Sequence, residues 1–282
     1  MLTYYRAPLY GLSYAALLCL TLFANSLYAG QHKQTYTIGV VPQYEIRQLI
    51  DIWNPVIEYL NDNSDSKFVL SPSPDIPTFE KQLSKGLFDF VYVNPFQYLR
   101  ASRQQGYQAI LRDGSRKLQG IIVVNRNGKI NKLEDLKEKA MVFPAPNALG
   151  ASLMVRHELE QIKGIKITPR YVKTHRSVYL QIATGRFPAG GGVESTLNRQ
   201  SPEMRKRLKI IHYTDELFPH PVVVHPRVNP ADIKKFITMI MQLSDSMQGK
   251  KLLNQIPINK VTTADHSEYL ELDSLNLKRY AQ

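Results

Sequence analysis

The residues of this 282-residue chain whose types and spacing could do chemistry gather at five places. At each, an apolar run stops and a polar, often helical, stretch begins. "VYVNP" sets Tyr92 and Asn94 ahead of Pro95. "APNALGAS" sets Asn147, Leu149, Gly150, Ala151 and Ser152 at the head of a long amphipathic run. "THRSVY" offers His175 and Ser177, "AGGGVE" offers Gly191, Gly192 and Glu194, and "VPQY" offers Gln43 and Tyr44. A helix start carries unpaired backbone N–H groups and the positive end of the helix dipole. Several of them aimed at one cleft make an anion site without an arginine. Glycine lets backbone approach a ligand closely, and tyrosine and asparagine add polar groups and aromatic walls. Each feature also has a plain structural reading. Asn94-Pro95 is a good helix cap, three glycines make a tight turn, and a single histidine is more often packed than liganding. Of the first group, Tyr92 is expected to touch solute, Asn94 to cap and Tyr98 to pack.

Enzyme signatures are weak by comparison. "GASLM" fails the G-x-S-x-G pattern, and the sequence has no P-loop, G-x-G-x-x-G or H-E-x-x-H. His220 and His225 in "HPVVVH" could ligate a metal, but no carboxylates stand at ligand spacing, and the run reads equally as an extended hinge. No cofactor and no metal are expected.

The elements that must position these residues follow in short alternation. "YTIGVVPQ" (36–43), "KFVLSPSP" and "LFDFVYV" read as strands. Between and after them lie helices at "EIRQLIDIWNPVIEYLND", kinked or restarted at Pro55, at "TFEKQLSKG" and at "NPFQYLRASRQQG". The pattern recurs with strands at 119–128, "AMVFPAP", "ITPRYVKTH" and "RLKIIHYTD". Its helices are "NKLEDLKEK", "NALGASLMVRHELEQIKG", "RSVYLQIATG", "STLNRQ" and "NPADIKKFITMIMQLSD". Such alternation predicts an α/β fold with mostly parallel sheets. Strand-like joins near 115–125 and 208–214 predict two lobes, crossed twice by the chain, around a cleft. The expected division is 30–117 for the first lobe, 118–210 for the second, and 211–282 for the return to the first with C-terminal helices.

Residues 1–29 stand apart. They hold one charged side chain, Arg6, and an apolar run from Leu12 to Ala24, followed by "NSLYAG". The run is shorter than the ~18 residues of a spanning helix, so it reads as a cleavable signal peptide, with an uncleaved anchor as the alternative. Cys19, the sole cysteine, lies within it, so the mature chain would form no disulfide and use no thiolate. The net charge of +12 is scattered apart from "RKRLK" at 205–209. In an exported protein this fits small anions or an anionic membrane surface better than nucleic acid.

The order "IGVVPQ", "WNPVIEYL", "GLFDFVYVNPFQYLRA", "INKLEDLKEKAMVF", "PNALGAS", "VKTHRSVYLQIATGRFPAGGGVESTLN" and "VVVHPRV" resembles the phosphonate/phosphate/phosphite-type substrate-binding proteins of ABC importers. The resemblance runs from about Thr35 to about Leu243. It implies a two-lobe, type II periplasmic binding fold, each lobe a mixed, mostly parallel sheet flanked by helices. It also implies a periplasmic, monomeric binder of a small phosphorus oxyanion that serves a membrane permease. In the family an aromatic residue ends the cleft strand, matching Tyr92 or Val93. A helix-start loop grips phosphoryl oxygens, matching Ala148 to Ser152. A histidine matches His175 and an acidic residue falls near Glu194. Glu194 would accept a hydrogen bond from a protonated oxygen and so disfavour sulfate. The chain departs from the family where the gripping loop's Ser/Thr run reads Ala148-Leu149-Gly150 and where an Asp reads Pro188. A sensor feeding a membrane kinase and a periplasmic phosphoester hydrolase are the alternative functions.

Overall fold

Helix-connected strands run parallel in the computed structural model, which describes residues 1–3, 33–256 and 258–281. The expected leader, with Cys19, falls outside the described residues except for 1–3. Residues Thr35–Gln282 form one compact unit. Its first sheet has the order β11-β4-β10-β3-β1-β2. Here β1 is Thr35–Val40, β2 Lys67–Ser71, β3 Phe90–Tyr92, β4 Gln108–Asp113, β10 Val222–Val224 and β11 Val261–Thr263. β1 pairs in parallel with both β2 and β3, because helices Ile46–Asp62 and Ile76–Ser84 carry the chain back between them. Helix Pro95–Gln105 does the same between β3 and β4, but β10 inserts between those two strands, antiparallel to each.

The second sheet repeats the plan with the order β7-β6-β8-β5-β9. Its strands are β5 Ile121–Asn125, β6 Ala140–Phe143, β7 Thr168–Tyr171, β8 Ala189–Gly192 and β9 Leu208–Tyr213. β6 is parallel to β7 and β8, whereas β5 inserts antiparallel between β8 and β9. Both sheets are therefore mixed, each with a run of three parallel strands beside an inserted antiparallel one. The inserted strands share a cause: β5 and β10 are each the first strand after the chain crosses from the other sheet, so no crossover helix imposes a parallel direction. The run Ile121-Ile122-Val123-Val124 is buried throughout because alternate side chains serve two cores. Ile122 and Val124 pack with Phe143, Val155 and Leu159, and Ile121 and Val123 with Val178, Tyr179 and Ile182.

The two crossings lie side by side. Leu118 N donates to Leu217 O at 2.8 Å, Leu217 N returns the bond to Leu118 O at 2.9 Å, and Thr214 N donates to Gly120 O at 2.9 Å. β9 keeps to the second sheet as far as Tyr213, which pairs with Ile121.

Three expectations change. Helix Ile46–Asp62 runs through Pro55 without a break. The carbonyl that Pro55 leaves unpaired belongs to exposed Asp51, which water can satisfy, while Leu49, Trp53, Val56 and Leu60 hold the buried face. "NKLEDLKEK" forms only the tight turn Leu133–Leu136. The Asp135 carboxylate binds the Asn131 and Lys132 N–H groups at 2.8 and 3.2 Å, and Glu138 turns the chain at φ 60°. "AGGG", which could have been a turn, is the central strand of its sheet. Among the described residues no helix is long and apolar enough to cross a membrane.

Candidate functional site

The carboxyl end of β3 delivers Tyr92 to the space between the sheets. Its ring stacks on His220, with centroids 5.3 Å apart, and leans on Trp53 at 5.4 Å. Burial pushes its phenol far above the usual range, so the hydroxyl stays protonated and able to donate. Asn94 caps the next helix, its Oδ1 accepting from Gln97 N at 2.9 Å. Its amide also donates to Asn147 O of the second lobe at 3.2 Å. Tyr98 turns away, its hydroxyl 2.9 Å from His266 Nδ1.

Opposite β3 lies the start of a long helix, 149–162, wound wide in its first turn, Leu149–Met154. Ser152 N and Leu153 N both donate to Ala148 O, at 2.7 and 3.2 Å. The N–H groups of Leu149, Gly150 and Ala151 have no acceptor among the described residues. Two glycines allow this seating. A Cβ on Gly120 would stand 2.1 Å from Gly150 O, and one on Gly191 1.9 Å from Ala151 O. With its carbonyls laid against glycine backbone, the turn leaves its N–H groups directed at the cleft.

His175 opens the helix His175–Ala183, capped by Thr174 Oγ1, which accepts from Ser177 N at 3.0 Å. His175 Nδ1 lies 3.2 Å from Thr196 Oγ1. Thr196 Oγ1 also lies 2.8 Å from Val193 O and 2.7 Å from the Tyr179 hydroxyl; where its proton goes to Val193 O, Nδ1–H donates to it and Nε2 is left as an acceptor. From the first lobe, His220 Nε2 lies 3.4 Å from the Gln43 amide nitrogen and accepts from it. Burial pulls His175 down to about 4. Burial and then the neighbouring His175 pull His220 down to about 3. Both rings are therefore neutral at neutral pH.

These groups surround two adjoining spaces. The smaller, about 20 Å³, is lined by Gln43, Asn94, Leu149, Gly150, Ala151, His175 and His220, with Val41, Ile76, Leu118, Ala148 and Val193 as apolar wall. The larger, about 350 Å³, shares Gln43, Leu118, Val193 and His220 and extends past Tyr92 and Gln119 to Arg116, Lys117, Glu194, Ser195 and Asn198. A hydrogen-bond chain joins the lobes beside them. Asn147 Nδ2 donates to Glu80 Oε2 at 2.7 Å, and Gln97 Nε2 donates to Glu80 Oε1 at 2.8 Å.

Of the residues the sequence singled out, Gln43, Asn94, Leu149, Gly150, Ala151 and His175 meet in the smaller space, and Gln43, Tyr92 and Glu194 in the larger. Glu194 thus stands apart from the helix-start donors. Tyr44, Asn147, Ser152, Ser177, Gly191 and Gly192 line neither space. The Tyr44 ring lies under the Arg199 guanidinium at 5.0 Å. Asn147 serves the interlobe chain, Ser177 the cap, and Gly191 and Gly192 the floor beneath the helix start and Tyr179. The Ser152 hydroxyl is buried without a hydrogen-bond partner.

Sequence reasoning missed His220, Leu118, Gln119, Arg116 and Lys117. All sit on the two crossings, and the strand-like joins between lobes were the signal that could have found them. β10 separates His220 from His225, whose ring packs edge-on against Tyr107. Among the described residues no group of three or more His, Cys, Asp or Glu could hold a metal ion.

A family model described as the periplasmic substrate-binding protein of phosphonate ABC transporters matches residues 38–269. Solved structures share the fold. The binding component of an ABC phosphonate transporter from Pseudomonas aeruginosa superposes with a TM-score of 0.79 at 15% identity, over 88% of each chain. PhnD1 from Prochlorococcus marinus, solved with methylphosphonate, gives 0.79 at 16% identity over 87% of this chain and 98% of that one. The periplasmic aliphatic sulphonate binding protein SsuA from Escherichia coli gives 0.60 at 14% identity, over 88% and 86%.

Proposed function

The chain belongs to the phosphonate periplasmic substrate-binding proteins of ABC transporters, and on that premise we propose that it captures a small phosphorus oxyanion between its lobes and delivers it to a membrane permease. It catalyses no reaction in this role. It acts as a monomer in the periplasm after its leader is removed.

The observation that carries this reading is the row of three unpaired N–H groups at Leu149, Gly150 and Ala151, facing His175, His220 and Gln43. Oxyanion oxygens stripped of water need donors in their place. Successive N–H groups at the positive end of a helix supply them without side-chain hydroxyls, which accounts for a gripping loop that reads Ala-Leu-Gly. His175, with its Nδ1–H given to Thr196, offers Nε2 to accept a hydrogen bond from a P–OH group, which keeps its proton. A sulphonate or sulfate has none to offer, so the preference expected of Glu194 passes to His175.

A space of about 20 Å³ holds roughly one water, less than a phosphonyl group needs. Solute therefore enters with the lobes apart, and they rock on the paired crossings around Leu118 and Leu217. Closure is favoured by as much as the solute binds the closed form better than the open one. The test is a melting-point panel of methylphosphonate, phosphate, phosphite and sulfate. A solute at a hundred times its Kd adds about 2.7 kcal/mol of stability, a rise of roughly 5–10 °C for a chain of this size. No rise with any phosphorus oxyanion would end the reading.

A further inference from the structure

Resting on that reading, we propose that the solute is not a minimal phosphonate but one whose substituent bears a second anionic group, held in the larger space by Arg116 and Lys117. Three observations converge. The first is room: about 350 Å³ equals roughly a dozen waters at ~30 Å³ each, far more than a methyl group fills. The second is continuity. The two spaces share Gln43, Leu118, Val193 and His220, so a phosphonyl group on the helix-start donors points its substituent into the larger one.

The third is charge. Four ionised side chains line that space: Asp113, Arg116, Lys117 and Glu194. Asp113 is held by neutral donors, accepting from Ser115 N at 2.8 Å and Ser115 Oγ at 2.7 Å of its own loop, and from Asn259 N at 3.0 Å and Lys260 N at 3.3 Å of the C-terminal segment. Those bonds anchor the loop that leads into Arg116 and Lys117. Lys117 holds its ammonium 3.6 Å above the Phe218 ring, a cation–π seat that orients the charge without neutralising it. Arg116 reaches the Asn259 side-chain amide, whose oxygen turned toward it accepts at 2.9 Å. Neither cation pairs with a carboxylate among the described residues, and Glu194 pairs with no cation. Asp113 keeps its charge, since all its donors are neutral, so the lining balances in sum. Arg116 and Lys117, however, are adjacent in sequence and set two positive charges together with no carboxylate among the described residues paired to either. Beside those two side chains a cationic substituent is repelled, a neutral one leaves both without a counter-charge, and a carboxylate or second phosphonate supplies one.

Calorimetry with methylphosphonate, phosphonoacetate and 2-aminoethylphosphonate tests this. Phosphonoacetate should bind roughly five- to tenfold tighter than methylphosphonate, with aminoethylphosphonate the weakest of the three. The ratio of the first two should fall toward one in an Arg116→Gln/Lys117→Gln double variant. In the unaltered protein the same ratio should shrink as salt is raised, a readout that survives if the variant folds poorly. Methylphosphonate binding as tightly as phosphonoacetate, aminoethylphosphonate binding tightest, or a ratio indifferent to both salt and substitution would overturn the inference while leaving the proposed function intact. If none of the three binds, both fall.

Discussion

Replacing Gly191 with alanine probes how the second sheet supports the helix-start donors. Gly191 sits in the central strand β8, paired with Ile122, and a Cβ there would lie 1.9 Å from Ala151 O and 2.8 Å from two atoms of the Phe143 ring. Ordinary contact begins near 3.4 Å, so the helix start must lift by about 1.5 Å. The obstructing atom is backbone in a fully buried turn, Leu149–Met154, and cannot swing aside as a side chain would. Overpacking of this kind costs about 1–3 kcal/mol. For a chain of this size, 3 kcal/mol lowers the melting point by roughly 6–12 °C. The same lift carries the N–H groups of Leu149 to Ala151 out of hydrogen-bonding range of an oxyanion. Each such charge-assisted bond is worth about 1.5–3 kcal/mol, so affinity should fall at least tenfold. Heat denaturation and calorimetric titration on one preparation read both effects. Gly185→Ala is the control: φ is +74° but nothing lies within 4 Å of the added atom, so it should cost about 1 kcal/mol through the backbone alone and leave affinity in place. A Gly191→Ala protein that melts within about 1 °C of the parent and binds equally well would refute the argument.

Two further outcomes are expected. Glu80→Ala removes both acceptors of the interlobe chain, one from Asn147 and one from the Gln97 amide, which is 1% exposed. A penalty of about 1–3 kcal/mol on the closed form should increase the radius of gyration of the solute-free protein in X-ray scattering, and an unchanged radius would show that the chain does not hold the lobes together. The second concerns pH. His175 and His220 titrate at about 4 and about 3 in the fold against 6.5 ordinarily. Between those values the unfolded chain binds protons that the folded one refuses. Their contribution is therefore whole above pH 6.5 and is lost as pH falls through about 4 and then about 3, at about 1.4 kcal/mol per unit for each ring. Urea midpoints should decline across this window, and less steeply in a His175→Asn/His220→Gln protein; equal slopes would place these protons elsewhere.

The caps show why part of the site was legible beforehand. Asn94 with Gln97, and Thr174 with Ser177, are hydrogen-bonded neighbours in sequence, so residue type and spacing were enough to locate those helix starts. The strands β1, β3, β5 and β6 were equally plain from their apolar runs. The glycines were not. The sequence allows 190–192 to turn or to extend, and only the helix 149–162 packed against them selects a strand. Pro55 likewise sits in an unbroken helix because the long-range packing of that helix's buried face outweighs one missing N–H. Within "PQY", Gln43 faces the site and Tyr44 turns under Arg199, a choice made by what lies across the cleft.

By itself the sequence determined the element order, the helix starts that could receive an anion, and the family resemblance, because these depend on contacts within a few residues. The tertiary structure decided that β5 and β10 insert antiparallel, that the crossings are laced at Leu118 and Leu217, and that His220, Arg116 and Lys117 line the site. The physical reason is distance along the chain. The groups around the two spaces come from positions 41–43, 76, 92–94, 113–121, 148–151, 175, 193–198 and 213–220, and no local preference reports which of them fold to the same side of a sheet.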